Sequence, residues 1–200
     1  MRPGPLARRR WAAELPSAAQ SYAVGRLVEK KGVTFLLRAL VLVRGKFPNI
    51  HLSIIGDGPL RQKLAQQATE LGITDNLSFH GSVIQADLPR FYSRAAIAII
   101  PSVVADSGDQ EGLGLVTVEA LGCGCAVVAS DLPAIRDVID PGENGLLAEP
   151  ADANSIAEKI IYLLENEPHR FDIDDMRFDK GRARTAQLKC RLTLSRILVP

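Results

Sequence analysis

Between residues 21 and 166, short apolar runs alternate with longer stretches of helical periodicity, and this alternation limits the possible folds more than any other feature. The runs "SYAVGRL" (21–27), "IHLSIIGDG" (50–58), "NLSFHG" (76–81), "AIAIIPS" (96–102), "AVVAS" (126–130) and "NGLLAEP" (144–150) read as strands. "GVTFLLRALVLVRGKFP" (32–48), "PLRQKLAQQATELG" (59–72), "ADLPRFYSRA" (86–95), a segment near 113–121, "AIRDVID" (134–140) and "DANSIAEKIIYLLEN" (152–166) read as helices. Pro59 suits a first turn, Pro48 and Gly72 suit stops, and Asp152 suits an N-cap. Strands apolar on both sides and joined by helices predict an α/β fold. The expected form is a doubly wound, Rossmann-like parallel sheet with helices on both faces.

The 200 residues, 46% of them apolar, suffice for one domain with an ordinary core. The expected organisation is a poorly ordered lead-in over 1–20, a ligand-binding domain over 21–167, and a basic, atypical tail over 168–200. A net charge of +1 argues against nucleic acid as the partner of the whole chain. The charge is uneven, with Arg2, Arg8, Arg9 and Arg10 at one end and Lys180, Arg182, Arg184, Lys189, Arg191 and Arg196 at the other. Such ends suit either solvated termini or peripheral contact with an anionic membrane. Cys123, Cys125 and Cys190 form no CxxC pair, so zinc ligation is not expected and a reducing compartment is. No apolar run reaches the ~18–20 residues of a membrane span. The basic N-terminus lacks an apolar signal region. The expected location is therefore the cytoplasm, with the inner membrane surface as a variant.

Ligands of doubly wound sheets bind beyond the carboxyl ends of the strands. There the chain places Gly25-Arg26, Gly56-Asp57-Gly58, Gly81-Ser82-Val83 and the polar loop "VVADSGDQEG" (103–112). Arg26 and Lys31 are spaced to face one anion, a fork and a point charge suited to a diphosphate. The alternative is two solvated cations near a helix start, a position the helix dipole makes unfavourable to cations unless an anion shares it. Asp57 reads as a cap for the helix opening at Pro59. Glu111 precedes a helix that carries Glu119, with Gly112 and Gly114 at the helix start. Eight residues of helix would separate the two acids by about 12 Å. The arrangement offers an acceptor, an anion hole of free N–H groups, then a second acceptor. A nucleotide sugar presents hydroxyls, diphosphate and ribose in that order. The alternative is a dipole-favoured Glu111 and a solvated Glu119. No GxGxxG follows the first strand and no GxxxxGK[ST] occurs, so nicotinamide, flavin and P-loop chemistry are unsupported. A separation near 12 Å also exceeds the range for a pair of glycosidase carboxylates.

The segments "VGRLVEKKGVTFLLRAL", "IIGDGPLRQKL", "LSFHGSV", "IIPSVVADSGDQEGLGLVTVEALGCGCAVVAS" and "IDPGENGLLAEPADANSIAEKI" resemble the retaining, GT-B-fold glycosyltransferases of family 4, glycosyl transferases group 1. The resemblance spans about residues 21–166 and implies the C-terminal half of a GT-B fold, the half that binds the donor. It implies a hexosyl transfer from a UDP-, GDP- or ADP-sugar, with no cofactor and no metal. Arg26 and Lys31 match the pair on the donor diphosphate, Glu111 the acid on the sugar hydroxyls, and Glu119 the acid on the ribose. Gly25 adjoins the basic pair, and the loop from Gly81 to Val83 matches the one beside the nucleobase. Gly112 and the amides of Leu113, Gly114, Leu115 and Val116 match backbone contacts to sugar and phosphates. The resemblance assigns catalysis to Arg26, Lys31 and Glu111. The chain departs at Ala126, where the family often has Pro, and at Asp137, where it usually has Glu.

Family enzymes carry a second, N-terminal domain that binds the acceptor, and 200 residues have room for one domain. The expectation is a donor-binding domain that needs an acceptor domain, from a partner chain or an N-terminal half, to transfer sugar to a saccharide or lipid-linked acceptor. The alternative is a truncated, non-catalytic nucleotide-sugar-binding module that pairs with or regulates another glycosyltransferase.

Overall fold

In the computed structural model, which describes residues 20–92, 94–112 and 114–166, six strands form one sheet. They are β1 (Gln20–Val24), β2 (His51–Ile55), β3 (Leu77–Gly81), β4 (Ile97–Ile100), β5 (Ala126–Ser130) and β6 (Leu146–Ala148). The helices are α1 (Val33–Lys46), α2 (Arg61–Glu70), α3 (Leu88–Tyr92), α4 (Leu115–Gly122), α5 (Pro133–Arg136) and α6 (Ala153–Glu165). The expectations for the lead-in and tail lie outside the described residues, save Gln20, which begins β1.

All five strand pairings are parallel and the order is β3-β2-β1-β4-β5-β6. The doubly wound sheet expected from the alternation is therefore present. Successive side chains of a strand point to opposite faces, so every strand but the edge strand β3 feeds two cores. Ala23, Ile97, Ile99, Ala126 and Val128 pack on one face with Leu36, Leu37, Leu40 and Val43 of α1, Leu64 of α2, and Ile156 and Ile160 of α6. Tyr22, Ala98, Ile100, Val127 and Ala129 pack on the other with Tyr92 of α3, Ala120 and Leu121 of α4, and Ile135 of α5. Each large aliphatic side chain so buried contributes about 1.5–3 kcal/mol.

Asp152 caps α6 as its sequence position suggests, its Oδ1 accepting from the Asn154 and Ser155 amides at 2.8 and 3.3 Å. Asp57 does not cap α2. Its Oδ1 accepts from the Gly58 amide at 2.7 Å, and α2 opens at Arg61 after Leu60 with no side-chain cap. Asp57 stands three residues before Leu60, the N-cap position, too early to reach the helix. No helix among the described residues is long and apolar enough to cross a membrane.

Candidate functional site

The strand order reverses between β1 and β4, whose chains leave toward opposite sides of the sheet. A crevice must open there, beyond the carboxyl ends, and the segments that border it are the turn after β1 and the loop after β4.

The turn after β1 is fixed by backbone. The Gly25 amide donates to Ile55 O at 2.9 Å, Leu27 N to Asp57 O at 2.9 Å, and Leu60 N to Leu27 O at 3.1 Å. Gly56, at φ +134°, lies so close to the Gly25 carbonyl that an added Cβ would stand 1.9 Å from it. Leu27 is buried beneath, and Arg26 projects outward between these fixed neighbours. Among the described residues the Arg26 side chain has neither ion-pair nor hydrogen-bond partner. A single 3-10 turn, Glu29–Lys31, then leads through Gly32 (φ +61°) into α1. Gly32 sits against the Pro101 carbonyl, where a Cβ would meet the oxygen at 1.8 Å, so the turn and the end of β4 are in direct backbone contact.

The loop after β4 runs from Pro101 to Gly112. Lys31 Nζ donates to Glu111 Oε2 at 2.5 Å, and both side chains are mostly shielded, 17% and 15% exposed. The stem of Lys31 lies against Gly25, where a Cβ would stand 3.3 Å from Lys31 Cε. Gly25, Lys31 and Glu111 are thus brought together, with Arg26 beside them on the same turn. Sequence reasoning missed two further ties. Lys30 Nζ pairs with Asp109 Oδ1 at 3.0 Å, and the Asp106 amide donates to Glu29 Oε1 at 3.0 Å.

Gly114, left-handed at φ +56°, precedes α4 with no side-chain cap. The first amides of the helix, those of Leu115 and Val116 included, have no intrahelical acceptor and are available to a ligand. Leu115 is 57% exposed and Val116 half-buried. Leu113 lies outside the described residues. The helix begins only at Leu115, so Glu111 is separated from Glu119 by loop and one helical turn rather than by eight helical residues. The 12 Å spacing expected from sequence therefore does not apply. The cause is Gly114, whose left-handed conformation sets the start of regular helix four residues after Glu111.

Glu119 is half-buried and its Oε1 accepts from Gln85 Nε2 at 2.9 Å. Gln85 follows the Gly81–Val83 segment, in which Gly81 is left-handed at φ +70° and Val83 packs on the second core. Gln85 is a site neighbour that sequence reading passed over; its position four residues after Gly81, in the segment leaving β3, was the available signal. Below Glu119, burial pushes the Tyr92 phenol well above its ordinary value, with the Glu119 and Cys125 charges adding to the effect. The arrangement can hold an anion between Arg26, Lys31 and the α4 amides, and hydroxyls at Glu111 and Glu119.

The family profile described as glycosyl transferases group 1 matches residues 13–176. Among characterised proteins, the chain is 32% identical over 142 residues to a GDP-mannose-dependent alpha-(1-6)-phosphatidylinositol monomannoside mannosyltransferase of Mycolicibacterium smegmatis. It is 35% identical over 148 residues to a phosphatidyl-myo-inositol mannosyltransferase of the same organism. These alignments cover 70% and 74% of this chain but only 37% and 36% of those proteins, so the chain spans well under half of their length. Among solved structures, Anabaena HepE in complex with UDP superposes with a TM-score of 0.73 at 24% identity, covering 97% of this chain and 54% of that one. The C-terminal domain of a glycosyl transferase group 1 family protein from Francisella tularensis superposes with a TM-score of 0.68 at 23% identity, covering 99% and 96%. These structural likenesses speak to the fold, that of a GT-B glycosyltransferase domain.

Proposed function

The chain belongs to the glycosyl transferases group 1 family, and from that premise we propose that it is the donor-binding domain of a retaining glycosyltransferase of family 4. In this reading it takes a nucleotide-diphosphate sugar and passes the hexosyl group to an acceptor hydroxyl bound by a second domain. One observation carries the proposal: an unpaired Arg26 and the Lys31–Glu111 pair stand at the strand-order reversal, beside the uncapped start of α4.

The roles follow from the chemistry of each group. Arg26 and Lys31, with the free amides after Gly114, lie on the diphosphate and stabilise the charge that grows on it as the glycosidic bond breaks. Glu111 accepts from sugar hydroxyls and Glu119 from ribose hydroxyls, each carboxylate oxygen taking one O–H. The base lies beside Gly81–Val83. The acceptor hydroxyl attacks from the face the diphosphate leaves, and a departing phosphate oxygen takes its proton, so the configuration is retained without an enzymic base. With cations supplied by side chains, the site as proposed needs no metal. UDP bound in the HepE structure and the GDP-mannose dependence of the mycobacterial relative support a nucleotide sugar as ligand. The alignment of the chain to little more than a third of that relative supports a further domain as the acceptor's host.

Calorimetric titration with UDP, GDP, ADP and their sugars tests the reading. At least one should bind, and Arg26→Ala should weaken it by about 1.5–3 kcal/mol, the worth of a charge-assisted bond to phosphate. No binding by any of these ligands would overturn it.

A further inference from the structure

The 103–112 loop has two anchorages of different kinds. Its base is tied by backbone to the turn after β1, Val103 N donating to Lys30 O at 2.8 Å; within the loop, Ala105 N donates to Asp109 O and Gly108 N to Ala105 O, both at 2.8 Å. Its tip, residues 106–110, is exposed throughout and, among the described residues, packs on nothing apolar. The ties that join this tip and Glu111 to the rest of the protein come from three consecutive side chains. Glu29 accepts from the Asp106 amide, Lys30 pairs with Asp109, and Lys31 pairs with Glu111. Lys30 Nζ also reaches Gln110 O at 3.5 Å.

These three ties are not equivalent under the donor reading, on which this inference rests. A diphosphate arriving at the basic pair competes with Glu111 for Lys31, and the Lys31–Glu111 tie weakens as the ligand enters. Glu111 would then be free to swing with the loop, unless something else held it. Lys30 is turned the other way, to a carboxylate two residues earlier, and its bond to Asp109 involves neither Lys31 nor Glu111. We propose that Glu29, Lys30 and Asp109 are positioning residues: they strap the 106–110 tip to the turn after β1, so that Glu111 keeps its place while Lys31 changes partner. The pair is partly exposed, 29% for Lys30 and 60% for Asp109, so the strap is screened by salt and acts by restricting the loop rather than by strong attraction.

The test uses the full chain and a charge-reversal cycle, with UDP-glucose, GDP-mannose, UDP and GDP as probes. Lys30→Met and Asp109→Asn should each weaken the sugar nucleotide by about threefold, and the bare diphosphate by less, because the loop carries the sugar-side carboxylate. The effect should shrink in about 0.5 M salt. Lys30→Asp combined with Asp109→Lys should restore affinity to within about twofold of the parent, which a merely structural role for either side chain would not do. Hydrogen exchange at the Asp106 amide supplies a readout independent of ligand: Glu29→Ala and Lys30→Met should both speed it by about tenfold. Parent binding with unaltered single variants, or a reversal that restores nothing, would overturn the strap. Failure of the parent to bind any probe would instead remove the donor reading, and unchanged Asp106 exchange would then dispose of the strap as well.

Discussion

The turn after β1 and the loop after β4 face each other across the same crevice, and they are held by different forces. The turn carrying Arg26 and Lys31 is laced to β2 and the start of α2 by backbone hydrogen bonds, with Gly32 and Gly56 pressed against neighbouring carbonyls. The loop carrying Glu111 has a base tied to that turn by backbone, and a tip whose ties to the rest of the protein, among the described residues, are made through the side chains of Glu29 and Lys30. Backbone lacing survives a change of ligand, because no ligand competes for those bonds. Side-chain ties can be exchanged. The cations therefore stand on the rigid wall of the crevice and the first carboxylate on the adjustable one, which under the proposed function would grip a constant diphosphate and adapt to a variable sugar.

The largest expected effect attacks the rigid wall. Gly56→Ala drives a methyl into the Gly25 carbonyl at a φ of +134°, and should cost about 3 kcal/mol or more of stability. For a chain of this size that lowers Tm by roughly 6–12 °C, which scanning calorimetry would register. An unshifted Tm would mean the turn is not rigid, and the comparison would collapse.

Next comes the contact between the walls. Lys31→Ala removes a proposed diphosphate partner and leaves the half-buried Glu111 without the Lys31 bond. Nucleoside diphosphate affinity should fall by about 1.5–3 kcal/mol in titration. Glu111→Gln should act in the opposite sense on the two ligand classes. The sugar nucleotide should weaken by about 1 kcal/mol while the bare diphosphate binds no worse, since Lys31 no longer has a carboxylate to leave. Equal weakening of both would make Glu111 a structural member of the wall.

The smallest effect lies beneath the adjustable side. Burial first, then the charges of Glu119 and Cys125, hold the Tyr92 phenol well above 10.0, and its hydroxyl has no partner among the described residues. A folded value above the unfolded one gives stability that is complete below about pH 10. That stability is lost as pH rises toward the folded value, at about 1.4 kcal/mol per pH unit. Tyr92→Phe should flatten that alkaline decline in urea titrations and leave neutral-pH stability within about 1 kcal/mol. An unaltered alkaline limb would place the sensitivity elsewhere.

Much of the fold was legible locally because its signals are local. The β5 run 126–130 is bounded by a glycine-cysteine turn and by Asp131, and the strand has those same bounds. Asp152 declared itself by standing one residue before an amphipathic run. The candidate site was legible in part. Lys31 and Glu111 stood out by charge and setting, but their pairing joins residues 80 apart in sequence, and Lys30–Asp109 joins residues 79 apart. No periodicity or spacing encodes such a contact. Gln85 was passed over for the same reason, as its partner Glu119 lies 34 residues on. The start of α4 was misjudged because glycine permits both helical and left-handed backbone, and only the surrounding chain selects between them.

The sequence by itself determined the element order, the two-sided apolar strands and hence the doubly wound class. It also put charged and glycine-rich residues after the strands, since each of these is a property of a short window. The tertiary structure decided the rest. The sheet order set β1 beside β4, which put residue 31 against residue 111. The close approach of Gly32 to Pro101 then made the turn and the loop neighbours. Those are long-range consequences of packing two helical layers on one twisted sheet, and they turn separately readable charges into a single crevice.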